Sequence, residues 1–169
     1  DAGNVSGNDV LIGDGGDDDL VAEAGDDIMV VGAGVDGADG QTGFDWAIYL
    51  NETAGIDADL TIEVFAAPPA PFSPNSFLDK FDQTEGLSGT AFSDILRGDD
   101  STALDLVGHE LTNFDLIDGL KNGLNPLFGA DVTMFNGGNI LLGGDGSDLI
   151  EGRGGNDIID GDAWLNVRL

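Results

Sequence analysis

Between residues 143 and 162 the chain reads GGDGSDLIEGRGGNDIIDGD. An aspartate precedes two large apolar residues, and the same arrangement returns nine positions later behind another glycine-rich turn. Carboxylates at a fixed interval with glycine backbone between them offer oxygen donors only: acid oxygens and turn carbonyls. A hard divalent cation suits such a set. Ca2+ takes about six to eight oxygens in loose geometry, whereas Mg2+ keeps its waters and wants a tighter octahedron.

The elements that must hold these acids follow from a nine-residue frame, G-G-x-G-x-D-x-U-x, with U a large apolar residue. GGDGSDLIE at 143–151 fits it throughout; GRGGNDIID at 152–160 has Arg153 at the second position, and MFNGGNILL at 134–142 has Asn139 at the sixth. Five frames run without a gap from residue 4 to residue 48, with Gly7, Gly16, Gly25, Gly34 and Gly43 at position four and Asp9, Asp18, Asp27, Asp36 and Asp45 at position six. Glycine tolerates positive φ, so G-G-x-G makes a tight turn. The residues after the aspartate are too few for a helical turn and suit a very short strand. Two such units close one coil of eighteen residues, and stacked coils build parallel ladders about 4.8 Å apart. One unit cannot bury its apolar residue alone; a stack can. The position-eight residues, from Leu11 and Leu20 to Ile150 and Ile159, are the expected core.

Stacking brings acids together. Asp9 should lie near Asp27, Asp18 near Asp36, Asp27 near Asp45, Asn139 near Asp157 and Asp148 near Asn166. Like charges about 5 Å apart repel by roughly 1 kcal/mol in water and several at an effective dielectric near 20. A cation between coils reverses the sign.

Composition says the same. Thirty-three Asp and Glu face five Lys and Arg, for a formal net charge of −28. That balance disfavours nucleic acid and anionic membrane surfaces as partners, since both demand basic patches. There is no cysteine and one histidine, so neither disulfides nor a thiolate zinc site holds the fold. No apolar run is long enough for a membrane span. The chain starts and stops abruptly against its own pattern and reads as a piece of a longer protein.

These residues resemble the RTX (haemolysin-type) family of calcium-binding nonapeptide repeats, strongly at 4–48 and 134–160 and faintly in GTAFSDILR at 89–97. The resemblance implies an all-β fold, a parallel β-roll (a right-handed, calcium-loaded β-solenoid), with several Ca2+ ions between successive turns. Carried over, the metal ligands are the carboxylates of Asp9, Asp18, Asp27, Asp36, Asp45, Asp148 and Asp157, and the amide oxygen of Asn139. Turn carbonyls come from Gly7, Gly16, Gly25, Gly34 and Gly43, and from Gly143, Gly146, Gly152, Gly155 and Gly161. Asp94 stands in a degenerate turn, with Phe92 in place of glycine. The family also implies a secreted bacterial protein, exported unfolded by a type I pathway and folding on calcium outside the cell. The order FDWAIYLNETAGIDADL, FDQTEGLSGTAFSDILRGDD, LTNFDLIDGL and GDAWLNVRL is similar to the repeat region of large secreted bacterial proteins that carry an animal-type haem peroxidase domain.

One continuous solenoid is expected, with N-terminal repeats at 1–48, irregular rungs and a Pro-containing insert at 49–133, and C-terminal repeats at 134–169. ADLTIEVF at 58–65, FDLIDGL and DVTMF read as strands, APPAPFSP at 67–74 as a surface excursion, and 101–125 as possible helix. Ile28, Val30, Trp46 and Ile48 alternate to the outer side of their strands, so part of 49–133 should cover them. GAGVDG at 32–37 satisfies a dinucleotide-binding pattern but opens no helix, and no stretch makes an EF-hand loop. His109 reads as a surface or turn residue, Trp46 and Trp164 as packing. No nucleophile–base set is present, so the expectation is a non-enzymatic calcium-binding module that stabilises or displays an adjacent domain. An adhesin-like or polysaccharide-binding module held in shape by calcium is the alternative.

Overall fold

A computed structural model describes residues 7–65, 78–112 and 133–165. Among them run twelve strands of three residues each: β1 (Val10–Ile12), β2 (Asp19–Val21), β3 (Ile28–Val30), β4 (Gly37–Asp39), β5 (Trp46–Ile48), β6 (Asp57–Asp59), β7 (Lys80–Asp82), β8 (Gly86–Ser88), β9 (Ile95–Arg97), β10 (Ile140–Leu142), β11 (Leu149–Glu151) and β12 (Ile158–Asp160). No described residue is helical. The fold is all-β, and its parallel ladders are those of a β-roll.

One face of the roll is a six-stranded sheet in the order β1-β3-β5-β8-β10-β12. The other is two three-stranded sheets, β2-β4-β7 and β6-β9-β11. Every ladder is parallel. In the repeats the register steps one coil at a time, Val10 opposite Ile28 and Ile28 opposite Trp46. The middle residue of each strand points inward. Met29, Ala47, Leu87 and Leu141 from one face meet Leu20, Ala38, Phe81, Ala58 and Leu96 from the other in one buried cluster. Small Ala38 opposes large Phe81 across the β4–β7 ladder, which keeps the narrow interior filled. The end coils are thinner. Leu11 and Ile150 are only partly buried, and Ile159, expected in the core, is 48% exposed because no described coil lies beyond it.

The second face divides because the chain inserts an extra strand between β5 and β8. β6 pairs forward with β9, whereas the later β7 pairs back with β4. Beyond β6, Glu63 forms an isolated parallel bridge with Phe81 of β7. The strand expected over 58–65 is therefore confined to β6, followed by a turn. Of the helix considered over 101–125, residues 101–112 hold a run of turns at 103–108 and no helix, and 113–125 lie outside the described residues. FDLIDGL, all of APPAPFSP, and Asp131 and Val132 of DVTMF lie outside the described residues, as does Asn166; Phe135 forms only an isolated antiparallel bridge with Leu111.

That bridge covers the outer side of the six-stranded face. Ile28, Val30, Trp46, Ile48, Ile140 and Leu142 form a second buried cluster with Phe44, Leu111, Phe135 and Leu165. Leu111 comes from the expected covering segment; Phe135 and Leu165 come from beyond it. Trp46 is fully buried beside Phe44, ring centroids 5.4 Å apart. Its indole lies over Gly86, where any Cβ would overlap the ring. Trp164, by contrast, is 53% exposed rather than packed inside.

Candidate metal centre

The turns that enter the strands share one backbone solution. The second residue of six repeats adopts positive φ, at Gly32 and Gly144 and also where it is not glycine: Asp14 (63°), Glu23 (72°), Gln41 (66°) and Arg153 (65°). At position four, a Cβ on Gly25 or Gly43 would fall on the carbonyl of the glycine one coil earlier, Gly7 or Gly25 respectively. The turns thus nest carbonyl onto glycine, and a file of backbone oxygens runs along the stack. At the C-terminal end, a Cβ on Gly146 would meet the Phe92 carbonyl, one on Gly155 the Ser101 carbonyl and one on Gly143 the Gly161 carbonyl.

Beside that file stand two columns of acids, one ahead of each face. Ahead of the six-stranded face they are Asp9, Asp27, Asp45, Glu85, Asn139 and Asp157; ahead of the other, Asp18, Asp36, Asp79, Asp94 and Asp148. Seven of these side chains reach back to the preceding member of their column, whereas the Asn139 amide oxygen accepts the Asp99 N–H (2.8 Å). The Asp9 N–H donates to Asp27 Oδ1 (2.6 Å), Asp18 to Asp36 (2.8 Å), Asp27 to Asp45 (2.9 Å) and Asn139 to Asp157 (2.9 Å). The same contact crosses the irregular middle, from Asp36 N–H to Asp79 Oδ1 (2.8 Å), from Asp45 N–H to Glu85 Oε2 (2.8 Å) and from Asp94 N–H to Asp148 Oδ1 (3.0 Å). Thus Asp94 joins the column despite its degenerate turn. Asp79 and Glu85 were missed at the sequence level because no position-four glycine precedes them. The legible signal was the other half of the frame, an acid two residues before an apolar one: Asp79-Lys80-Phe81 and Glu85-Gly86-Leu87.

One oxygen per acid is used by this contact. The second, on Asp27, Asp36 and Asp45, is buried with no hydrogen-bond partner. Position-one glycines make room for it: a Cβ on Gly40 would strike Asp45 Oδ2, and one on Gly152 Asp157 Oδ2. Burial lifts the Asp27 and Asp36 carboxyls above the ordinary carboxylate range, with neighbouring acids adding to it and the captured N–H opposing it. Asp45 is pushed up to about 9, by burial first and then by the Glu85 carboxylate. Burial likewise raises Asp79, Glu85 and Asp157. A buried carboxylate with an unpartnered oxygen costs several kcal/mol unless it is protonated or meets a cation.

Among the described residues no three His, Cys, Asp or Glu side chains are grouped to hold a metal ion. A cation here therefore draws on one or two carboxylates and the stacked turn carbonyls. That all-oxygen set, with orphaned charged atoms already aimed into it, fits Ca2+.

The structure treats His109 differently from the expectation for a surface residue. Its side chain is 14% exposed, with Nδ1 3.3 Å from Glu85 Oε1. Arg153 pairs with Asp59 (2.6 Å) and ties β6 to the C-terminal coils, while Arg97 pairs with Asp57 and ties β6 to its neighbour β9.

The RTX calcium-binding nonapeptide repeat, in four copies, matches residues 5–38 and 135–163. No curated protein and no solved structure matches the chain. The two ends of the roll are therefore similar to RTX calcium-binding repeats.

Proposed function

We propose that this chain is a calcium-triggered folding module of a secreted bacterial protein, exported by a type I pathway in unfolded form and closing into its roll when it meets external calcium. The buried, unpartnered second oxygens of Asp27, Asp36 and Asp45 carry this reading. Asp9, Asp18, Asp27, Asp36, Asp45, Asp94, Asp148 and Asp157 would supply charged oxygens, Asn139 a neutral one, and the turn glycines their carbonyls. Asp79 extends the set into the middle of the roll. Bound calcium would neutralise the columns. In its absence, much of a net charge of −28 would oppose closure. The rigid roll would then stabilise or display an adjacent domain; the resemblance of its linking segments makes a haem peroxidase the proposed neighbour.

The adhesin-like alternative needs a row of exposed side chains. The exposed aromatics Phe65, Phe92 and Trp164 stand on separate turns rather than in register.

Circular dichroism of the purified chain during a calcium titration, with magnesium as control, tests the reading. Calcium should produce a cooperative gain of β signal from a largely unfolded apo chain, since binding and folding share one free energy. A chain already folded in excess chelator would refute it.

A further inference from the structure

We propose that the imidazole of His109 stands in for the metal ion between the coil containing β5 and the coil containing β8, so that this level of the column takes a protein cation where its neighbours take calcium. The inference rests on the calcium reading above.

In the regular part of the stack, the position-four N–H of one coil donates to the position-three carbonyl of the next: Gly7 to Ala24, Gly16 to Ala33 and Gly25 to Thr42, each at 2.9 Å. Gly43 has no such turn to meet, because the chain leaves for its insertion after β5. Its N–H donates instead to the Gly108 carbonyl (3.1 Å). The segment ending at His109 thus occupies the place of the missing turn. The imidazole comes with it, beside the Gly43 backbone, with Nδ1 3.3 Å from Glu85 Oε1 and otherwise without a hydrogen-bond partner. A carboxylate of the column and the backbone of the position-four glycine are the two kinds of ligand that the calcium reading assigns to a metal position elsewhere in the roll. Here both face one ring.

Glu85 fits this arrangement better than aspartate would. It is 4% exposed, its Oε2 accepts the Asp45 N–H, and its longer arm leaves Oε1 free to meet the ring. Glu85, His109, Asp82, Asp99 and Asp105 also line a cleft of about 250 Å³, a route by which an ion could reach the position were the ring removed.

The test is the calcium content of the full chain at saturating calcium, by equilibrium dialysis and elemental analysis, for wild type, His109→Ala and His109→Lys. The expected result is one more ion per chain in His109→Ala than in wild type, and no gain in His109→Lys, whose ammonium keeps a cation there. Equal or lower calcium in a folded His109→Ala overturns the proposal. So does a His109→Ala chain that stays unfolded at saturating calcium, because an ion should serve in the ring's place. Wild type that binds no calcium would sink the parent reading itself, a distinct outcome.

Discussion

At the scale of single residues, each acid in the columns has two jobs, and they differ in strength with depth. Asp27 is fully buried; its Oδ1 holds the Asp9 N–H and its own N–H is held by Asp45. Asp9 is exposed, and no N–H donor to its carboxylate is found among the described residues. Removing a buried acceptor strands its donor at a cost of about 1–3 kcal/mol. Asp27→Ala should therefore lower stability in saturating calcium by about that much more than Asp9→Ala, and shift the calcium midpoint further. Equal effects in thermal and calcium titrations would contradict the pairing. The carboxylate positions were largely legible, because the chemistry of a hard cation demands acids at the coil repeat. What no motif announced was the direction of the contact, from each side chain back to the preceding coil. Nor did it announce that position-one glycines such as Gly40 clear space for the second oxygen.

At the scale of elements, the twelve strands are so short that none could persist alone. Their existence follows from the repeat, and the periodicity of Gly and Asp reveals them where hydrophobic alternation would not. The middle was less legible for the same reason. Once the repeat lapses at residue 49, an acid followed by one apolar side chain is too weak a signal to separate β7 and β8 from turns. The inserted β6 then pairs out of chain order, which no local pattern encodes. The cover over Trp46 and Ile140 was foreseeable as a need, since the outward apolar residues required burial, but not as the Leu111–Phe135 bridge. Both side chains are at most 6% exposed. Truncating Leu111 to Ala should cost about 2–5 kcal/mol and increase binding of a hydrophobic dye, while leaving calcium stoichiometry unchanged. A variant as stable as wild type would show that the bridge does not cover the sheet.

At the scale of the whole molecule, charge decides when the roll can exist. Without metal, Asp45 in the folded state holds its proton up to about 9, against an ordinary value of 3.8. The folded form binds that proton more tightly than the unfolded chain does. Its contribution is fully present below the ordinary carboxyl range and is lost as pH rises towards 9. In chelator, then, the folded fraction should grow as pH is lowered from 8 to about 5. In saturating calcium the slope reverses, since protons compete with the ion for the same oxygens. Dichroism at both pH values, with and without calcium, reads the crossing. Parallel slopes would mean that the buried acids and the metal do not share oxygens.

Because the buried acids of the columns reach towards the chain's beginning, while more exposed acids such as Asp17 and Asp26 reach the other way, the two ends of the roll are not equivalent. Trimming coils from the start uncovers side-chain oxygens, which water solvates readily. Trimming from the finish uncovers backbone N–H groups whose acceptors have been cut away. The solenoid thus carries a polarity that its near-identical repeats conceal, and it should withstand erosion from its head better than from its tail.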